Sequence, residues 1–389
     1  MKLPSEEIVF TRYLYIKDEV KLSLMLNILQ KNNDAIFWAY ELYYSGFKHE
    51  LFELIWKIYY DFFATNNPTF EAYLLKKHLE FINAVIPQDK VISAIIQDLI
   101  IRPFNTDIFF LRKVCELFET EYVSHSEKIE TIDDLYSNFN IWVKQHDYRS
   151  ISHFILNEKH VFDLKDIYHT VLDIFEIKNV TRLLKEFDNI LKLNQMRNEI
   201  NENIMIIKPN VMLLSKIMTL FSNNKKGKSF YVCVEPEEII PYETIQVSDK
   251  IRHYHILKIA CICSIDEQKQ LSLFKLMRYN ADIKNMYLNN WEYHASFSPI
   301  WLDRFNQFGG KIDDIKQKIV FDCDDKMEQF YEKYGYEPDE QTISVQDKSI
   351  MEIERIRNWK WFNDTYSRNK LFTIYDEELS EFDVDGIEY

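Results

Sequence analysis

Between Glu50 and Phe63 the chain reads ELFELIWKIYYDFF, and its apolar positions fall into two stripes at helical spacing. Leu51, Leu54, Ile55, Ile58 and Phe62 form one, and Phe52, Trp56, Tyr59 and Phe63 form the other. Glu50, Glu53, Lys57 and Asp61 make the single polar stripe, supported by the i,i+4 pairs Glu53–Lys57 and Lys57–Asp61. Two apolar faces require two neighbours, so this helix is expected inside a layered helical structure, with Trp56 buried.

The same period continues on both sides. Helices are predicted through DEVKLSLMLNILQ, DAIFWAYELYYSGF, PTFEAYLLKKHLEFIN, KVISAIIQDLII, DIFFLRKVCELFETEY, DDLYSNFNIWVKQH, LKDIYHTVLDIFE, TRLLKEFDNILKL and NVMLLSKIMTLF. Asn67 before Pro68 reads as a helix start, Thr131 with Asp134 as a capping box with a shorter acid, and Gly46 as a C-terminal cap. The expected fold is all-α: a HEAT-like α-solenoid or an irregular helical array, with a small β or extended element after residue 228. That element is expected in SFYVCVEPEEIIPYETIQV, as a hairpin or a strap. Helices resume at KIRHYHILKIACICSI, QLSLFKLMRY and MYLNNWEYHA. The pattern divides the chain into a helical array over 1–222, a link over 223–229, a second mostly helical region over 230–340 and a charged segment over 341–389. Seven of the last 14 residues are acidic, which predicts a solvated tail.

Composition sharpens this picture. Only 6 Gly and 9 Pro occur in 389 residues while aromatics reach 15%, so left-handed turns and Gly-rich phosphate loops are expected to be few. The net charge of −15 argues against a general nucleic-acid binder and favours protein partners, leaving Lys225, Lys226 and Lys228 as a local patch for RNA contact. Five cysteines without framework spacing, and an N-terminus without an apolar signal core, predict a reduced, intracellular protein. No apolar run approaches the ~18 residues of a spanning helix, so no membrane role is expected.

Several short motifs mimic chemistry. GKS at Gly227–Ser229 lacks the first glycine of a phosphate loop and follows a helix instead of a strand. KIVFDCDDKM places Asp322 and Asp324 as in the opening of a haloacid-dehalogenase phosphatase, but too little chain follows for the remaining βα units, and an edge strand or a helix start with solvated acids is the simpler reading. His253, His255, Cys261 and Cys263 lie close in sequence, yet H-x-H and C-x-C on one helix diverge instead of converging on a metal. No catalytic residues, cofactor or metal are therefore expected. The remaining candidate is WKWFNDTYSRNKLF, in which Trp359, Trp361, Tyr366, Leu371 and Phe372 sit in a polar stretch and read as exposed anchors for a partner protein.

The blocks DAIFWAYELYYSGF, LFELIWKIYYDFFATNNPTFEAYL, WEYHASFSPIW and FYEKYGYEPDEQ resemble a family of proteins from large nucleocytoplasmic DNA viruses of the mimivirus and phycodnavirus kind. That resemblance implies a viral protein of the host cytoplasm, its viral factory or the virion. A helical array combined with Y-x-x-x-x-L-Φ is similar to the scaffold subunit of the eukaryotic cap-binding translation initiation complex. There, tyrosine, leucine and the next apolar residue dock on the cap-binding protein while the array holds a DEAD-box RNA helicase. The matching residues are Tyr366, Leu371 and Phe372, placed after the array instead of before it. The expectation is a non-enzymatic viral scaffold bridging those two proteins. The alternative is a structural or assembly protein of the virion or replication factory.

Overall fold

A computed structural model describes residues 8–83, 89–117, 132–156, 163–200, 209–222, 230–243, 281–334, 343, 347, 350 and 359–367. The protein is mostly helical, with one small two-stranded sheet among the described residues. Residues group into two compact units that interleave along the chain. The first holds Met1–Leu51, Leu79–Ile101 and Tyr231–Asn358; the second holds Phe52–His78, Arg102–Phe230 and Trp359–Tyr389. One exchange, at Phe230/Tyr231, falls beside the expected link at 223–229. Three others divide the expected N-terminal array, and the last, at Asn358/Trp359, falls in the expected charged segment.

In the first unit, α1 (Lys17–Gln30), α2 (Asp34–Tyr44) and α5 (Asp89–Ile101) pack mutually. A second cluster joins the N-terminal segment to distant helices. Ile8, Phe10, Leu14 and Ile16 are buried with residues of α13 (Ile283–Asn289), α14 (Trp291–Ser296), α15 (Pro299–Gln307) and α16 (Asp324–Tyr334). Backbone bonds fix the segment, Phe10 N donating to His294 O at 3.1 Å, and Trp301 Nε1 donates to Thr11 O at 3.1 Å. Among its described residues, the stretch after Phe230 contains no strand; it runs as an extended strap and ends in the short helix α12 (Ile240–Glu243). The sheet lies further on: β1 (Lys311–Asp313) pairs antiparallel with β2 (Lys318–Val320), Ile312 facing Ile319.

The second unit builds on the end of α3 (Lys48–Ile58), the first part of α4 (Phe70–Asn83), α6 (Asp107–Leu117), α7 (Ile132–Gln145), α8 (Tyr148–Leu156), α9 (Leu164–Ile174), α10 (Val180–Ile200) and α11 (Pro209–Phe221). Trp56 is buried, as its stripe predicts, and donates to His78 Nδ1 at 2.9 Å. The polar stripe is not fully wet, however. After Ile58 the chain widens into a π-helical turn, Tyr59–Phe63, closed by Ala64 N to Tyr59 O. The extra residue rotates this turn relative to α3, so Asp61 is only 2% exposed and pairs with Arg112 instead of extending the Lys57 face.

Left-handed helix ends form here both with and without glycine. After α2, Gly46 (φ 97°) sits in a Schellman motif, with Gly46 N bonded to Tyr43 O and Phe47 N to Leu42 O. A Cβ there would stand 2.5 Å from Pro299 Cβ, so glycine is required. Yet α1, α7 and α9 end in the same pair of bonds with Lys31, His146 and Glu176 at φ 59°, 59° and 51°. A glycine-poor chain still needs helix ends, and it tolerates about 1 kcal/mol of left-handed strain at each. Asn67 differs too. Its side chain bonds Phe63 O and Pro103 O, while its carbonyl accepts from Phe70 N at the start of α4. Thr131, and the side chain of Asp134, lie outside the described residues.

Candidate functional site

The C-terminal docking candidate is only partly described. Trp359 to Tyr366 forms a short helix of the second unit. The side chains of Trp359 and Trp361 lie outside the described residues, as do Leu371, Phe372 and the patch Lys225, Lys226 and Lys228. Tyr366 is described and is 4% exposed, its ring 4.9 Å from that of Phe362. Phe362 in turn meets Phe109 at 5.3 Å and Phe110 at 6.0 Å, and Ser367 Oγ shares a 2.6 Å hydrogen bond with Thr106 Oγ1. The exposed anchor expected at Tyr366 is thus a core contact of its own chain. Tyr366→Ala is expected to lower stability by about 2 kcal/mol, read as a fall in melting temperature.

Chemistry-like motifs are accounted for locally where they are described. Asp322 follows β2 and accepts from Lys311 at 3.0 Å and Lys326 at 2.9 Å. Hydrogen bonds from Lys326 and then Lys311 hold its carboxyl below the usual carboxylate range. Asp324 opens α16, where an acid favours the helix dipole. A strand followed by solvated acids is the structure that forms. The GKS, H-x-H and C-x-C segments lie outside the described residues. No group of three or more His, Cys, Asp or Glu able to hold a metal occurs among the described residues, and no described helix is long and apolar enough to cross a membrane.

Several buried polar side chains in the second unit are matched to one another. Arg112 Nε and Nη2 reach Asp61 at 3.1 and 2.7 Å, Tyr60 donates to Glu71 at 2.7 Å, and Lys216 pairs with Glu71. In the first unit, the hydroxyls of Tyr43 and Tyr44 converge on the carboxylate of Asp89 at the start of α5, and that of Tyr40 on its carbonyl. Burial and the neighbouring carboxylate raise all three tyrosines well above the usual phenol range, so they are donors and not bases.

His294 is different. Its Nδ1 lies 3.0 Å from Ile8 O, and a carbonyl only accepts, so Nδ1 carries the proton and the buried Nε2 keeps a lone pair without a hydrogen-bond partner. Burial lowers its pKa, the bond to Ile8 opposing this more weakly. The unfolded chain therefore binds the proton first as pH falls below about 6.5, and stability is full above that value and declines below it. Chemical denaturation between pH 7.5 and 5 is expected to show a steeper loss for the wild-type chain than for His294→Gln.

Among the described residues, the most exposed large apolar side chain is Ile315, 96% exposed in the turn between β1 and β2. Its turn is braced. Asp313 Oδ1 accepts from Ile315 N at 3.1 Å and Lys316 N at 3.0 Å, Asn290 Nδ2 donates to Gln317 O at 2.9 Å, and Tyr293 OH reaches Asp314 at 3.3 Å. Ile319 and Phe321 pack the hairpin onto the core of the first unit, while Ile312 and Val320 are exposed on its two strands. Gly310 permits this seating, since a Cβ would approach Ile319 Cγ2 to 2.8 Å. Sequence reasoning overlooked the tip. Its one signal was an isoleucine flanked by Asp and Lys in DDIKQK. Compared with protein-family models, curated proteins and solved structures, the chain matches none of them.

Proposed function

We propose that the chain is a non-enzymatic helical scaffold that holds a partner protein at the β1–β2 tip, with Ile315 as its apolar anchor. The observation carrying this reading is a braced turn that presents an aliphatic side chain 96% exposed. Scattered apolar residues on a surface are ordinary, but here the turn's backbone bonds are made by polar neighbours and the isoleucine packs on nothing. Rigid presentation lowers the entropy cost of docking, and one buried anchor can supply much of the affinity.

At its most specific, the proposal is a viral translation-initiation scaffold joining a cap-binding protein to a DEAD-box RNA helicase. The alternative is an assembly protein of the virion or replication factory. The buried Tyr366 moves the point of attachment from the YSRNKLF segment to the hairpin. Calorimetry with purified cap-binding protein and helicase tests this. Binding is expected with the wild-type chain and is expected to weaken at least about tenfold in Ile315→Asp, with the melting temperature unchanged because the residue is exposed. Equal binding by the variant would remove the hairpin from the site. Binding of neither protein would remove the translation reading, and binding of capsid proteins instead would favour the alternative.

A further inference from the structure

We propose that the guanidinium of Arg304, in the first unit, forms the base of a binding site for a ligand oxyanion, a carboxylate or a phosphate group. Arg304 lies on α15 and is only 8% exposed. Its guanidinium carbon stands 4.5 Å from the ring centroid of Trp301 and 4.9 Å from that of Tyr334. Contacts of this kind use the charge and leave the N–H donors without acceptors. No carboxylate, carbonyl or hydroxyl of the described residues accepts from Arg304, although a guanidinium carries five N–H donors and buried donors are almost always matched. Its nitrogens are also not among the sealed side-chain atoms that lack a partner, so they face space that solvent enters.

The neighbouring charges do not complete the set. Glu41 is fully buried, and its two oxygens are taken by Arg12 Nε at 3.4 Å and Tyr13 N at 2.8 Å. Arg12 Nη1 donates to Tyr242 O at 2.9 Å. Among the described residues, Glu41 is the one carboxylate that acts on Arg304, and it is already bonded to Arg12. Burial lowers the Arg304 pKa to about 10, a direction a bound anion would reverse. A planar fork of donors without an acceptor among the described residues suits a single oxyanion held by two parallel hydrogen bonds. The site is independent of the hairpin and of the scaffold reading.

Sodium phosphate and sodium acetate, titrated separately into the full chain at constant ionic strength set by NaCl, test the proposal. A saturable rise in melting temperature with one of the two is expected, and the one that saturates at lower concentration identifies the group. Arg304→Gln should abolish the rise, and Arg304→Lys, which keeps the charge without the fork, should raise the half-saturating concentration about tenfold or more. Because Arg304→Gln also leaves Trp301 and Tyr334 without their cation, nitrogen NMR of the wild-type Arg304 Nε–H provides a second reading. Its resonance should shift along the same titration. No saturable response to either anion beyond NaCl, an unchanged response in Arg304→Gln, or a stationary Nε–H resonance would each overturn the site.

Discussion

Trp56→Ala is expected to destabilise the second unit by about 3–5 kcal/mol, a fall in melting temperature on the order of 10 °C. Trp56 is buried, its ring centroid 5.9 Å from that of Tyr60 and 6.0 Å from that of Tyr59. Truncation removes that packing and leaves a cavity between the end of α3 and the start of α4. It also strips His78 Nδ1 of its donor, while His78 remains stacked on Phe52 at 4.2 Å. Trp56→Phe separates the two effects, because it keeps most of the ring and loses the hydrogen bond. That variant should cost about 1–2 kcal/mol. Differential scanning calorimetry of both variants measures the division. A Trp56→Ala protein melting within a degree or two of the parent would mean that the neighbouring helices collapse into the space, against the close packing seen there.

Helical periodicity made most of this legible. The stripe that predicted a buried Trp56 is local, since residues three and four apart share a face whatever the rest of the chain does. The same holds for α1, α2, α5 and α11, whose ends lie within three residues of the apolar runs. Short helices escaped. Tyr148–Leu156 carries Ile151, Phe154 and Ile155 as the apolar residues of its buried face, beside Ser152. Its start signal was nonetheless present in Asp147, whose carboxylate accepts from Ser150 N at 3.1 Å. The core of the first unit was invisible for a different reason. Phe10 meets Tyr287 and His294 across more than 270 residues of chain, and a period of 3.6 says nothing about partners so far away.

The candidate site was less legible than the fold. An exposed anchor was sought where aromatics crowd a polar stretch, yet a tyrosine beside a phenylalanine four residues earlier is also the signature of a packed helix face, and Tyr366 on Phe362 is that face. Ile315 carries no comparable sequence cue, because its exposure follows from the register Lys311 to Val320 and from the bonds that hold the turn. Arg304 was likewise unremarked. Whether an arginine lacks an acceptor depends on where Glu41 spends its two oxygens, which is a fact of tertiary placement alone.

The π turn carries the second large expectation. Asp61→Ala should cost on the order of 3–5 kcal/mol, because Asp61 is 2% exposed and takes both Nε and Nη2 of Arg112, whose side chain is itself mostly covered. Removing the carboxylate leaves a guanidinium in a low-dielectric setting with its two strongest bonds gone. The cost belongs to the broken pair and not to the intact one, since two charges taken from water gain little over a well-packed apolar pair. Arg112→Met should therefore also destabilise by leaving Asp61 buried, and Asp61→Leu with Arg112→Met together should cost clearly less than the sum of the two single changes. Urea denaturation of the four proteins closes the cycle. Additive losses would show that the two residues act separately. A double variant close to the parent in stability would show that the π turn, by bringing Asp61 inward, created a requirement for Arg112 instead of a net gain from the pair.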